Sequence, residues 1–107
     1  MGITKSEIFT TNQNELAEIF KVLSNPGRLA ILQYISAQNA CICNDIVAEI
    51  GLAQPTISQH LKELKRLHLI KGTIEGTKIC YCINEERWKK LQKNIELFLN
   101  TTAATCC

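Results

Sequence analysis

The segment from Gly51 to Ile70 constrains the fold more than any other part of this chain. Its apolar side chains recur at the spacing of one helical face, as Ile57, Leu61, Leu64 and Leu67. The opposite face carries Ser58, Gln59, Lys62 and Arg66. Pro55 suits the first turn of a helix, where its missing N–H has no partner to lose. Such a helix can bury one face and offer hydrogen-bonding and cationic groups to the major groove and phosphates of DNA.

Apolar periodicity predicts further elements on both sides of this segment. They are helices over about 14–23, 27–38, 44–50 and 85–99, and strands over about 69–74 and 78–83. A short helix joined to the 51–70 segment by a glycine-containing turn is a helix-turn-helix, and a hairpin directly after it is a wing. The fold predicted is therefore mainly α with a small β-hairpin, a winged helix-turn-helix in the order α-α-α-α-β-β-α.

The middle helices already supply a core for a domain of this size, so the terminal helices are expected to pair with a second copy. We expect three regions: a flexible arm over residues 1–12, a DNA-binding and dimerisation domain over 13–99, and a cysteine-containing tail over 100–107.

Composition restricts the class of protein further. The 107 residues suit one domain, and no apolar run approaches the ~20 residues of a membrane span. The first residues lack the apolar core of a signal peptide, which predicts a cytoplasmic protein with no membrane partner. The net charge is only +2, so a basic patch can arise only where cationic side chains are grouped on one surface. With two histidines, no carboxylate cluster and no glycine-rich phosphate loop, an enzyme is not expected.

Three stretches together resemble the ArsR/SmtB family of metal-responsive repressors. They are the string from Leu52 to Leu61 (LAQPTISQHL), the string from Leu23 to Leu32 (LSNPGRLAIL), and the hairpin with Gly76 and Tyr81. The resemblance covers about residues 14–99. It implies a homodimeric winged-helix repressor that leaves double-stranded operator DNA when it binds a metal ion, a metalloid or a reactive sulfur species.

The resemblance also implies which side chains read DNA. Its base-reading positions are Gln54, Thr56, Ser58 and Gln59. The cations expected to contact phosphates, from their placement alone, are Lys62, Arg66 and Lys78 of the wing. His60 falls on the buried flank of the helix and is interpreted as a structural histidine. Ala53 replaces the serine often found at this helix start, which weakens the cap by about 1 kcal/mol.

The six cysteines indicate how such a repressor could respond. The last helix has no histidine, so the family's common zinc site is absent there. Cys41-Ile42-Cys43 instead resembles the Cys-Val-Cys motif of the arsenic repressors. Thiolates are soft ligands suited to As(III), Sb(III) or another thiophilic species such as Cu(I) or Cd(II), and a helix N-terminus favours the thiolate. Residues i and i+2 of a helix point about 200° apart. The sulfurs of Cys41 and Cys43 can therefore bind one ion only if this turn is not helical.

The arsenic repressors carry a third cysteine after this motif, where the present chain has Ile46 and Val47. Cys106 and Cys107 are the expected substitutes, from the same chain or its partner. Alternatively, two sulfurs suffice for a monomethylated arsenical. Cys80 and Cys82 share one strand face and could serve a metal, but are interpreted as ordinary small residues of the wing.

The expected function is thus a repressor released by As(III) or Sb(III), with no permanent cofactor. One alternative keeps the fold and makes the cysteines a redox or persulfide switch. Another is a metal-buffering protein whose helix-turn-helix is incidental, which predicts that alanine at Gln54 and Ser58 leaves DNA affinity unchanged.

Overall fold

The fold is a winged helix-turn-helix with long helices at both ends, as the sequence predicts. The computed structural model describes residues 5–38 and 46–102. The elements are α1 (Lys5–Ile8), α2 (Thr11–Leu23), α3 (Pro26–Ser36), α4 (Ile46–Ile50), α5 (Gln54–Arg66), β1 (Ile70–Glu75), β2 (Lys78–Ile83) and α6 (Glu85–Thr102). The order matches the predicted one after a single extra helix at the N-terminus.

Helical structure begins earlier than the expected arm over residues 1–12 allows. A capping box fixes the start of α2: the Gln13 N–H donates to the Thr10 hydroxyl at 3.0 Å, and the Thr10 N–H donates to Gln13 Oε1 at 2.9 Å. These two bonds satisfy backbone N–H groups at the start of α2. The spacing of apolar residues gives no sign of them. The first long helix therefore begins at Thr11 and not near residue 14, and residues 5–8 form α1, whereas the division of the chain into arm, domain and tail stays a prediction.

The core lies where α2, α3 and α5 meet. α3 begins at Pro26 because the Asn25 side chain caps it, accepting the N–H of Arg28 at 3.2 Å. The buried apolar residues come from every long element: Leu16, Ile19, Val22, Ile31, Leu32, Ile35, Ile46, Ile57, Leu61, Leu64, Leu69, Ile70 and Leu91. α3 is the central helix expected from its composition, since it packs against α2, α4, α5 and β2.

The two strands form an antiparallel hairpin in which Ile70 pairs with Ile83 and Glu75 with Lys78. Gly76, at φ 64°, makes the turn in a backbone conformation that favours glycine. This register confirms the predicted alternation, with Ile79 and Tyr81 on one face and Cys80 and Cys82 on the other.

Helix α6 is docked at its first turns and uncovered along most of its length. The Trp88 indole donates to the Leu69 carbonyl at 2.9 Å, and Arg87 Nε donates to the Leu67 carbonyl at 3.2 Å. Leu91 is the one fully buried residue among its 18. The helix continues to Thr102, three residues past its expected end. Across the described ranges, no helix is both long and apolar enough to span a bilayer.

Candidate nucleic-acid interface and thiol site

Helix α5 has the two faces that its sequence predicts. Ile57, Leu61 and Leu64 are buried against the core. Every side chain expected to contact DNA is exposed: Gln54, Thr56, Ser58, Gln59, Lys62, Arg66 and, on the wing, Lys78. The four expected base-reading positions lie in the first two turns of α5, at the end that follows the turn from α4. This end of the helix is the part that enters a major groove in a helix-turn-helix complex.

The turn between α4 and α5 depends on Gly51, whose φ is 82°. Its N–H donates to the Val47 carbonyl at 2.9 Å and so closes α4. Ala53 then opens α5 with extended backbone and makes no side-chain cap bond. The helix start thus lacks a side-chain cap, as expected from alanine at this position, and the weaker cap stays a prediction.

The cations beyond the first turns of α5 differ in how they are engaged. Lys62 is exposed. The Arg66 guanidinium binds the carboxylates of Glu18 at 2.6 Å and Glu63 at 2.8 Å, and about half of its side chain stays exposed. The hydrogen bonds that Arg66 donates to Glu18 and then to Glu63 raise the pKa of Arg66, and its bond to Glu63 lowers the pKa of that carboxyl. Two carboxylates therefore offset the charge that Arg66 was expected to offer to phosphate.

The wing presents a cation and two apolar side chains at its tip. Lys78 is exposed and stands across the ladder from Glu75. Ile74 and Ile79 pair directly and remain 80% and 49% exposed.

His60 is buried, as predicted, but it has a polar partner that the sequence did not reveal. Its side chain is 8% exposed. Arg28 Nε donates to His60 Nδ1 at 3.1 Å, which joins α3 to α5. Burial, and then the positive charge of Arg28, lower the pKa of His60 below 6.5. The imidazole is therefore neutral at neutral pH.

The cysteines expected to bind the inducer, Cys41, Cys43, Cys106 and Cys107, lie outside the described residues. Cys80 is fully buried and disulfide-bonded, and Cys82 is not its partner. The interpretation of Cys80 as an ordinary small residue of the wing is thus incomplete, because a pattern of strand alternation says nothing about a bond to a distant part of the chain. Among residues 5–38 and 46–102, no group of three His, Cys, Asp or Glu side chains is placed to hold a metal ion.

Comparison with known proteins decides the family. Residues 25–71 match the family model described as "Bacterial regulatory protein, arsR family". The chain is 36% identical to the arsenical resistance operon repressor of Staphylococcus xylosus over 92 residues, which cover 86% of both proteins. The chain belongs to the arsR family. It is 32% identical to the cadmium resistance regulatory protein CadC homolog of Staphylococcus aureus, over 81% of this chain and 72% of that protein.

Solved structures agree on the fold. An ArsR-like transcriptional regulator from Rhodococcus sp. RHA1 has a TM-score of 0.70 and 20% identity, and the match covers 91% of this chain and all of that one. A homodimeric winged helix-turn-helix domain from Mycobacterium bovis has a TM-score of 0.65 and 24% identity, covering 94% of this chain and 90% of that one.

Membership of the arsR family makes this protein a DNA-binding transcriptional repressor and not an enzyme. The metal-buffering alternative is set aside on the same ground. Three features escaped the sequence analysis: the Arg28–His60 bond, the ion pairs of Arg66 and the disulfide of Cys80. Only the first had a signal, because an arginine in the first turn of one helix and a histidine on the buried flank of another are both unusual core residues.

Proposed function

We propose that this arsR-family repressor leaves its operator when cysteine thiolates bind trivalent arsenic or antimony. The observation that carries the proposal is the 36% identity to an arsenical resistance operon repressor over 86% of both chains. A second such repressor, from Staphylococcus aureus, is 33% identical over the same shares. The cadmium relative leaves room for other thiophilic ions.

The ligands in this proposal are Cys41 and Cys43, completed by Cys106 and Cys107 from the same chain or its partner. Thiolates match the softness of As(III) and Sb(III), and no permanent cofactor is required. Cys41 and Cys43 lie in the seven residues between Gln38 and Ile46, directly upstream of the helix-turn-helix. Capture of an ion there would pull on α4, which positions α5.

On DNA, Gln54, Thr56, Ser58 and Gln59 read base edges. Lys62 and Lys78 contact phosphates, and Arg66 does so with a charge that Glu18 and Glu63 partly offset. Their exposure supports these roles. The repressor acts in the cytoplasm.

A homodimer would present two α5 helices to half-sites about one helical turn apart. The support for a dimer is the apolar surface that α2 and α6 leave uncovered. It is formed by Phe20, Leu97, Phe98 and Leu99, each between 40% and 61% exposed. A surface of that composition is stable in water when a second copy covers it.

The test is a titration of the purified repressor on a duplex selected by the wild-type protein from a random-sequence library. Arsenite is expected to dissociate the complex, and the double variant Cys41→Ser/Cys43→Ser should stay bound at the same arsenite concentration. Replacing Gln54 and Ser58 with alanine should abolish binding to the selected duplex and spare arsenite binding. Arsenite that leaves the wild-type complex intact contradicts the proposal.

A thiol redox switch is the second candidate function, and the disulfide at Cys80 favours it. We propose Cys41 or Cys43 as the other sulfur, because α3, which leads into that segment, packs against β2. Two thiols would lose two protons and two electrons to hydrogen peroxide, forming one S–S bond and two molecules of water. A persulfide donor is a further oxidant of this class.

The same titration separates the two candidates. Under the redox candidate, peroxide or a persulfide donor dissolves the complex and arsenite does not. Cys80→Ala should then remove the response, whereas Cys82→Ala, on the same strand face, should keep it. Peptide mapping after oxidation identifies the partner of Cys80. If Cys80→Ala responds to peroxide as the wild type does, the redox candidate fails.

A further inference from the structure

A single arginine joins three helices, among them the recognition helix α5. The backbone N–H of Arg28 donates to Asn25 Oδ1 at 3.2 Å, and this cap bond fixes Arg28 in the first turn of α3. Its Nη1 donates to the Val22 carbonyl at 3.1 Å, near the end of α2. Its Nε donates to His60 Nδ1 at 3.1 Å, in the middle of α5. The guanidinium thus connects the long N-terminal helix to the helix that faces DNA.

The contact at His60 needs one protonation state. Nδ1 accepts a hydrogen bond from Arg28 Nε–H, so the ring proton sits on Nε2 and the imidazole is neutral. A second proton on the ring would sit on Nδ1, which could then no longer accept the hydrogen bond from Arg28 Nε. The positive charges of the imidazolium and the guanidinium would also lie within hydrogen-bond distance of each other. Since the side chain is 8% exposed, water cannot screen that repulsion well.

The junction is also tightly packed. A Cβ at Gly27 would lie 3.0 Å from Leu52 Cδ1, 3.1 Å from Asn25 Oδ1 and 3.1 Å from His60 Nε2. The imidazole is therefore held on both sides, by Arg28 at Nδ1 and by the backbone of α3 near Nε2. It has little room to turn away from the arginine.

We propose that Arg28 and His60 are positioning residues, which fix the angle of α5 on α2 and α3 for reading of specific DNA. His60 lies one residue after Gln59 and two after Ser58, on the opposite side of the helix. A rotation of α5 about its axis would therefore move the imidazole and the DNA-facing side chains together. Loss of the contact lowers affinity for the specific site more than affinity for DNA in general, since phosphate attraction does not depend on that angle.

The proposal gives DNA affinity a defined dependence on pH. As pH falls below 6.5 toward the lowered pKa of His60, the imidazole gains a proton and the contact is lost. The charged group that acts on the imidazole is Arg28 from α3, and the same arginine attracts the carboxylate of Glu63 on α5, which is bound by Arg66. From α2, Glu18 reaches this cluster through Arg66. The pKa of Glu63 is lowered, so its charge stays constant over this range.

The experiment compares two substitutions of His60 on the duplex selected by the wild-type protein. His60→Leu removes the acceptor and keeps an apolar side chain. We expect at least about a tenfold loss of specific affinity, equivalent to about 1.4 kcal/mol. Binding to poly(dI-dC) at low salt should change less than about threefold. His60→Asn places an amide oxygen close to the position of Nδ1 and should restore affinity to within about threefold of the wild type.

The pH profile distinguishes positioning from a general loss of stability. Wild-type affinity should fall as pH is lowered below 6.5, toward the lowered pKa of His60, and that of His60→Asn should stay level, because an amide does not titrate. His68→Asn is the matched control, since His68 is the other histidine of the chain and is exposed. Its profile should follow the wild type.

Equal pH profiles for wild type and His60→Asn overturn the proposal, and so does unchanged specific affinity in a folded His60→Leu. If His60→Leu does not fold, the comparison of wild type, His60→Asn and His68→Asn still decides. The inference requires DNA binding alone. It can therefore fail while the arsenic response stands, or hold while that response fails.

Discussion

At the scale of single residues, the helix-turn-helix depends on contacts so close that an added methyl group would require neighbouring side chains to move by a few tenths of an ångström. Gly27 is the clearest case, because three side-chain atoms surround the position of its missing Cβ. Its role is steric. It lets the N-terminus of α3 approach Leu52 and His60, and so sets the distance between the central helix and the recognition helix.

We expect Gly27→Ala to destabilise the protein by about 1 kcal/mol. The gain of about 1 kcal/mol from alanine in a helix is outweighed by overpacking of about 1–3 kcal/mol. Thermal unfolding should show a fall in Tm of roughly 5 °C. Gln33→Ala is the control, since Gln33 is exposed on the same helix and should shift Tm little. A Gly27→Ala variant more stable than the wild type would contradict this expectation. It would mean that the side chains around Gly27 can move to accept the methyl group without a loss of stability.

At the scale of elements, helix α5 and the wing form one surface whose cations are not equivalent. Lys62 and Lys78 are exposed, whereas Glu18 and Glu63 bind Arg66. Helical-wheel reasoning put Arg66 on the outer face correctly. It could not find Glu18, which lies on α2 and is 48 residues away in the chain.

We predict that these cations differ in the salt dependence of DNA binding. Lys62→Ala and Lys78→Ala should each reduce the slope of log affinity against log salt by about 1, the loss of one phosphate contact. Arg66→Ala should reduce it less, because its carboxylate partners already offset its charge. Lys93→Ala on α6 should leave the slope unchanged. A slope change for Arg66→Ala as large as that for Lys62→Ala would indicate that the ion pairs open on DNA.

At the scale of the whole molecule, the single chain is more extended than a compact domain of its length. Its radius of gyration is 16.6 Å, against about 13 Å for a compact domain of this length. The excess comes with a long α6 that buries only Leu91 completely, and with the Phe20–Phe98 ring pair at 6.3 Å on the uncovered side. This shape fits a dimer joined through α2 and α6.

We expect Phe98→Asp to convert the dimer to a monomer, because a carboxylate buried in an apolar interface would have no partner. Sedimentation velocity measures the change directly. Ile74→Asp is the matched control: it places the same charge on an 80% exposed residue of the wing tip and should leave the dimer intact. A Phe98→Asp variant that sediments as a dimer would place the interface elsewhere.

Local patterns were sufficient for the fold class, the two faces of α5, the alternating faces of the second strand and the buried position of His60. Each follows from the spacing of apolar residues and from turn chemistry within a few neighbours. The start of α2 was missed because a two-residue hydrogen-bond exchange decided it. The Arg28–His60 bond, the engagement of Arg66 by Glu18 and the disulfide of Cys80 depended on the tertiary structure. These contacts join residues that lie far apart in the chain, and hydrophobic periodicity orients each helix toward the core without specifying which polar side chains meet there.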